Sequence, residues 1–480
     1  MSKKIAIVGA GVGGLATAAR LAHRGYRVEV FEKLPECGGR AHLIEDRGFK
    51  FDTGPSFVLM PDFFEEVFSS CGEALTDYLD LKALDTSYKI FYPEGDTLTV
   101  YRDSEKTADE LEKFEQGSAH AYRKFIEETT SIYEAVRPLL YRCFTKGDVV
   151  HPRYLRLLGT LQVHKSYWQF AKKYFNSEKL CAAFTFEAMF IGVSPFEAPA
   201  FYSVITYTDH VQKIYHPLGG MYEIPKALEK MGKNFGAHYH YNSEITRIAP
   251  QNGSSILGTR EGEVEADMVV INADYASTQS TLLKRSLPHF KYSCSVYLIY
   301  LGLRQKIAGL EHHNLFFARD LKRNLRQIFQ DHLIPSDPSF YIHVPTVTDS
   351  SLAPPGKDIA YILVPVPNLE NGNEHFTEHE ERLRQVIFER VKKAVGIDLE
   401  SLTEVAHTFY PRDFITRYHI HYGATFGLAH TFFQSAFFRP SNRDRAIKNL
   451  YYVGASTQPG GGLPPVIASS RIVADIITAR

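Results

Sequence analysis

The sequence predicts an α/β protein in which separated stretches of chain assemble a Rossmann-type parallel sheet and an α+β domain is inserted between them. Three observations carry this expectation. Glycines cluster at Gly9, Gly11, Gly13 and Gly14, between an apolar run, Lys4 to Val8, and an alanine-rich helical stretch, Leu15 to Ala22. Buried-strand patterns recur at Ala237 to Ile248, at Ala266 to Ile271, and near the end at Leu450 to Val453. A glycine–proline loop, Gly454 to Pro464, then opens a last helix running from about Pro465 to Thr478.

The opening element is a complete βαβ unit. Gly9-Ala10-Gly11-Val12-Gly13-Gly14 fits G-x-G-x-x-G between strand and helix. In that setting Gly9 permits a tight turn, Gly11 lets the backbone approach a pyrophosphate, and Gly14 allows close helix–strand packing. The unpaired amides of the helix start then face the phosphates. Gly25 closes the helix, and Arg27 to Glu32 forms the second strand. It delivers Glu32 where a carboxylate accepts hydrogen bonds from ribose hydroxyls and repels a 2′-phosphate.

Composition excludes several classes. With 54 basic and 55 acidic residues the net charge is -1, which argues against a nucleic-acid footprint. Cys37, Cys71, Cys143, Cys181 and Cys294 show no C-x-x-C spacing and suit a reducing compartment. The glycine-interrupted N-terminus does not read as an export signal, and no apolar run reaches the roughly 18–20 residues of a membrane span. A cytoplasmic protein is expected. His312, His313, His407, His419, His421 and His430 lack zinc-enzyme spacing, so no metal is expected and they are placed at a cavity rim or on the surface.

Glu36-Cys37-Gly38-Gly39-Arg40, followed by Phe51-Asp52-Thr53-Gly54-Pro55-Ser56, distinguishes FAD from NAD. Paired glycines let amides approach a ligand, and Arg40 can neutralise a pyrophosphate charge. This segment resembles the signature shared by amine oxidases, carotenoid desaturases and Rab GDP-dissociation inhibitors. The loop Val453 to Val466 resembles the end of the bacterial and fungal phytoene desaturases. So do Ser194 to Pro199, His216 to Met221, Asn272-Ala273-Asp274, Ser293 to Ser295, Glu311 to Asn314, Pro338 to Pro345 and Gly423 to Leu428. Gln434-Ser435 and Arg439-Pro440 complete the series, which spans essentially the whole chain. Two departures adjoin the presumed flavin: Gln458 stands where many members carry histidine, and Pro465 where glycine is common.

The resemblance implies a discontinuous, GR2-like FAD-binding domain at 1–85, 225–290 and 440–480, with a substrate-binding domain at 86–224 and 291–439. FAD is the implied cofactor. The implied cofactor site comprises Gly9, Gly11, Gly14, Glu32, Lys33, Gly39, Arg40, Gly54, Pro55, Ser56, Ile245, Gly454, Gly462, Leu463 and Pro464. The implied reaction removes hydrogen from a long acyclic polyene such as phytoene. The cofactor carries the hard step while the protein supplies orientation and a dry tunnel. Tunnel candidates are Thr185 to Ile191 with Phe426, Phe432, Phe433, Phe437 and Phe438. No catalytic base is assigned.

Between 135 and 175 the basic residues Arg137, Arg142, Lys146, Arg153, Arg156, Lys165, Lys172 and Lys173 interleave with Leu139, Leu140, Phe144, Leu155, Leu157, Leu158, Leu161, Trp168 and Phe170. That pattern suits a helical, monotopic membrane contact, and equally a helix face packed on the core. Two other functions share the fold. One is a desaturase or oxygenase-like relative acting on a hydroxylated or apo-carotenoid or retinol substrate, kept open by Gln458 and Pro465. The other is a non-catalytic prenyl-binding protein of the Rab GDP-dissociation inhibitor type, against which the intact Gly11, Gly14, Glu32, Gly39 and Arg40 argue. Oligomeric state is left open.

Overall fold

The computed structural model describes residues 2–145, 147–148, 151–372 and 376–479. Its nucleotide-type sheet has five strands in the order Leu450–Tyr452, Met268–Ile271, Lys4–Val8, Arg27–Phe31 and His238–His240. Every pairing is parallel, with Ile5 opposite both Met268 and Val28. Met268-Val269-Val270-Ile271 is buried throughout, the continuous apolar pattern of a strand covered on both faces. The helices Val12–His23, Glu223–Asn234 and Leu463–Thr478 pack together against one face. The three-stranded antiparallel sheet Arg247–Pro250, Ser255–Gly258 and Glu263–Ala266 contributes Ile248 and Leu257 to the other.

Arg20 ties the helices of this layer. It is 1% exposed and donates to Ser470 Oγ at 3.1 Å and to Glu66 Oε1 at 3.2 Å, joining the first helix to Pro61–Ser69 and to the last.

The second sheet has seven strands, Thr403–Phe409, Ser295–Leu303, Asp358–Val366, Phe340–His343, His313–Phe316, Thr86–Phe91 and Thr97–Tyr101, in that spatial order. Pairing is antiparallel except between His313–Phe316 and Thr86–Phe91. The helix Thr377–Val395 covers one face through Leu383, Ile387 and Val391. The other face joins a core that includes the helical region between Ser118 and Gln212.

Two elements differ from their expected outlines. The Ala237 to Ile248 stretch divides into His238–His240, in the parallel sheet, and Arg247–Pro250, in the antiparallel one. A turn with Asn242 at φ 54° separates them, and asparagine tolerates that region better than most residues. The last helix starts at Leu463, so Pro464 and Pro465 occupy its first turn, where proline forfeits no intrahelical bond.

Candidate functional site

One cavity of about 800 Å³ runs from the glycine cluster into an apolar chamber bounded by the seven-stranded sheet and the helical region. At its polar end the first helix begins at Gly11, whose side takes no capping side chain, so the first-turn amides stay available to a ligand. A Cβ on Gly11 would stand 2.8 Å from Asn272 Nδ2. Asn272 itself donates to Gly9 O at 3.3 Å, bracing the loop from the neighbouring strand.

Glu32 lies buried beside this loop. Its carboxylate accepts from Ala10 N at 2.7 Å and from Leu34 N at 2.9 Å. Burial pushes its pKa up, and the two amides pull it back. Each carboxylate oxygen keeps a lone pair for a ribose hydroxyl. Gly38 N donates to Ala10 O at 2.8 Å, which holds the Gly38–Arg40 turn against the glycine cluster. Any Cβ on Gly54 would overlap the Arg40 carbonyl, so these two segments need glycine to pack.

Residues 53–56 are pinned to the second sheet by three tyrosines: Tyr300 to Thr53 O at 3.1 Å, Tyr361 to Gly54 O at 3.4 Å and Tyr341 to Ser56 Oγ at 2.9 Å. Arg40 donates to Thr425 O at 2.6 Å. Burial lowers its pKa while the Asp274 carboxylate raises it.

Of the expected cofactor residues, Gly9, Gly11, Glu32, Lys33, Gly39, Arg40, Gly54, Pro55, Ser56, Ile245, Gly454, Gly462, Leu463 and Pro464 line the cavity. Gly14 does not. A Cβ there would overlap Gly9 O, so its part is to seat the helix on the strand. The C-terminal loop is poorer in donors than expected, because Pro464 and Pro465 carry no N–H; Leu463 is the first-turn donor. An uncapped helix start, glycines set where side chains would collide, and a buried carboxylate together fit a flavin dinucleotide.

Sequence reasoning missed what holds the C-terminal loop. Arg439, 2% exposed, donates to Thr457 O at 3.1 Å, Gln434 O at 2.9 Å, Leu428 O at 3.1 Å and Ala455 O at 2.6 Å. Burial lowers its pKa to about 10. His430 Nε2 accepts from Gly461 N at 3.0 Å, and its Nδ1 lies 3.2 Å from Ile191 O. Burial and the neighbouring Arg439 keep His430 neutral, well below the usual imidazole range.

Several sequence assignments are therefore corrected. His312 and His313 are buried struts rather than rim or surface groups, whereas His430 is buried but does line the cavity. Gln458 turns away from the cavity: its Oε1 accepts from Phe144 N at 2.7 Å and its Nε2 donates to Arg439 O at 3.3 Å. It cannot select substrate by contact, whereas Pro465 does line the cavity.

The apolar chamber is lined by Phe186, Phe190, Phe317, Leu315, Leu298 and Phe426, among others. Met189, Ile191, Phe432, Phe437 and Phe438 also line it as expected; Thr185, Glu187, Ala188 and Phe433 do not. Glu187 is fully buried behind the wall, and Phe433 is 74% exposed.

In the 135–175 segment most of the described anchors face inward, with Leu158 exposed. Phe170 and Phe144 are buried, Trp168 packs tilted against Phe196, and Leu139, Leu140, Leu158 and Leu161 line the cavity. Arg137 and Lys173 pair with Asp62 and Glu128. Lys146 and the side chains of Arg153, Leu155 and Arg156 lie outside the described residues. No helix among the described residues is long and apolar enough to cross a membrane.

Residues 12–478 match the family described as flavin-containing amine oxidoreductases. A zeta-carotene-forming phytoene desaturase of Myxococcus xanthus is 39% identical, over 98% of this chain and 93% of that protein. A 4,4'-diapophytoene desaturase (4,4'-diapolycopene-forming) of a Methylomonas species is 35% identical over 100% and 96%. The 4,4'-diaponeurosporene-forming enzyme of Staphylococcus aureus strain Newman is 34% identical over 98% of each. Among solved structures, a putrescine oxidase variant superposes with a TM-score of 0.68 at 15% identity, covering both chains fully. A Methanosarcina mazei oxidoreductase gives 0.65 at 17%, over 99% of this chain and 100% of that one. At those identities the likeness shows the fold.

Proposed function

The chain belongs to the flavin-containing amine oxidoreductases, and within them to the carotenoid desaturases, and we propose that it desaturates a long acyclic polyene of the phytoene or diapophytoene type. It is an FAD-dependent oxidoreductase. The observation that carries the substrate reading is the single cavity joining the nucleotide cradle to an aromatic, aliphatic chamber. When bound, FAD supplies the two-electron acceptor for C–H removal.

The chain's own residues then have defined work. The first-turn amides after Gly11, with Arg40, hold the diphosphate; Glu32 holds the ribose; Gly454 to Pro464 bounds the other side. Phe186, Phe190, Phe317 and Phe426 exclude water and align a rigid polyene by surface contact, since a hydrocarbon offers nothing to hydrogen-bond. The ranges 86–224 and 291–439 supply most of this chamber and 1–85, 225–290 and 440–480 most of the cradle, although Phe57, Leu59 and Met60 line the chamber and Thr425 braces Arg40.

Entry of such a substrate is by peripheral contact with a membrane. Phe432, Phe433 and Phe438 form an exposed aromatic knuckle, with rings 5.2–6.0 Å apart, and Phe432, Phe438 and the exposed Leu158 also line the cavity. Apolar side chains at the mouth of an apolar chamber suit transfer from a bilayer.

The test is to incubate FAD-loaded protein with phytoene, or separately with diapophytoene, in liposomes under a suitable electron acceptor. The expected result is the red-shifted absorbance of lengthened conjugation with at least one of them. No shift with either overturns the reading.

A further inference from the structure

Away from the cavity's polar end, three distant stretches of chain bring four imidazoles together: His216, His312, His313 and His343. One ring nitrogen from each of His216, His312 and His343 lies within 4.8 Å of the others, and all three rings are buried. His343 Nε2 and His312 Nε2 face each other at 2.9 Å. His216 is fully buried, and neither of its ring nitrogens has a hydrogen-bond partner. A buried imidazole without a hydrogen bond is costly, so its place beside two further ring nitrogens points to a ligand.

The outer contacts are those of a ligand set. His312 Nδ1 lies 2.7 Å from Thr348 Oγ1, leaving Nε2 to face inward. His216 Nε2 lies 3.8 Å from the Asp349 carboxylate, which is itself fixed by Gly219 N at 2.6 Å and Ser351 N at 3.0 Å. Metal-bound histidines characteristically pass their second nitrogen to such hydroxyls and carboxylates.

We propose that His216, His312 and His343 form a binding site for a late first-row divalent cation, Zn²⁺ in the first place. Three neutral nitrogen donors suit Zn²⁺ rather than Mg²⁺ or Ca²⁺, which take oxygen. Tetrahedral Zn–N bonds of about 2.0–2.1 Å set ligand nitrogens roughly 3.4 Å apart. The 2.9 Å pair would open slightly and His216 would close in. Asp349 offsets part of the buried charge. The bound ion would join Tyr215–Pro217 to the edges of Phe340–His343 and His313–Phe316, tying the second sheet to the loop that leads into Glu223–Asn234.

The test uses the FAD-loaded protein. It is incubated with excess Zn²⁺ and gel-filtered, and zinc is measured by plasma mass spectrometry. One zinc per chain is expected, with His216→Gln and His343→Gln weakening it by about 10-fold or more at unchanged flavin absorbance. Loading wild type with Co²⁺ serves as a second readout that needs no variant. Tetrahedral d–d bands without thiolate charge transfer support the three-imidazole set. Failure to retain zinc, undiminished zinc in both variants, or a cysteine-ligated Co²⁺ spectrum overturns the proposal.

Discussion

Replacing Arg439 with methionine removes the clamp on the C-terminal loop without changing the surface, since the residue is 2% exposed. The guanidinium satisfies the carbonyls of Gln434, Leu428, Ala455 and Thr457 over 2.6–3.1 Å. Each carbonyl left unpaired costs about 1–3 kcal/mol, so four give an upper range of roughly 4–12 kcal/mol. Water entry and non-additivity bring the expected loss to the bottom of that range, about 4 kcal/mol. In a chain of this length that lowers Tm by on the order of 5 °C. Because Ala455 and Thr457 belong to the cradle, FAD affinity should also weaken by about tenfold, equivalent to about 1.4 kcal/mol. Arg439→Lys keeps the charge but not the planar fork, so its loss should be intermediate. Differential scanning fluorimetry and flavin titration measure both quantities. If Arg439→Met keeps wild-type Tm and full FAD content, the clamp does not support the loop and the reasoning is wrong.

Glu32→Gln sets a side-chain N–H against one of two backbone donors and removes the charge. FAD should bind roughly 10–100-fold more weakly, from the 1.5–3 kcal/mol of a charged hydrogen bond, and unaltered affinity in a fluorescence titration would refute that. Burial pushes the Glu187 carboxyl up to about 8, and Asp209 beside it is raised as well, so both are protonated in the fold. The stability this contributes is full below the ordinary carboxylate range and is lost as pH rises through about 8. Glu187→Gln should therefore flatten the fall of Tm between pH 5 and about 9, and an unchanged slope would count against it. Phe433→Ser removes an exposed ring worth about 2 kcal/mol on transfer to lipid, so liposome flotation should weaken by about 30-fold while flavin content stays constant; equal flotation would rule out the knuckle as an anchor.

The βαβ opening was legible because its signals are local: apolar run, glycines, helix and acid follow one another within Lys4–Glu32. The cradle glycines at 38–39 and 54 were legible for the same reason. The seven-stranded sheet was not, because its strands pair across separations that no local pattern records; His313–Phe316 lies beside Thr86–Phe91. Direction was the harder problem. Gln458 sits in a cavity-lining loop yet points to Phe144, and only the placement of residue 144 decides that. Trp168 and Phe170 read from spacing equally as membrane anchors or as core packing, because the pattern cannot tell a lipid-facing stripe from one packed on a core. His216, His312 and His343 share no spacing rule, since three separate strands or strand edges deliver them. Arg439 stood in the resemblance through Arg439-Pro440, but its clamp role did not. A signal was available in principle, for an arginine amid Phe437, Phe438 and Pro440 has no neighbouring acid.

One cavity couples the flavin cradle to a hydrocarbon chamber. The most direct measurement is the absorption spectrum of products extracted after the FAD-loaded protein is incubated with phytoene or diapophytoene in liposomes. A structured, red-shifted polyene spectrum that disappears when FAD is omitted is the predicted result. A flavin-loaded protein that returns both polyenes unchanged, with an electron acceptor present, would contradict it.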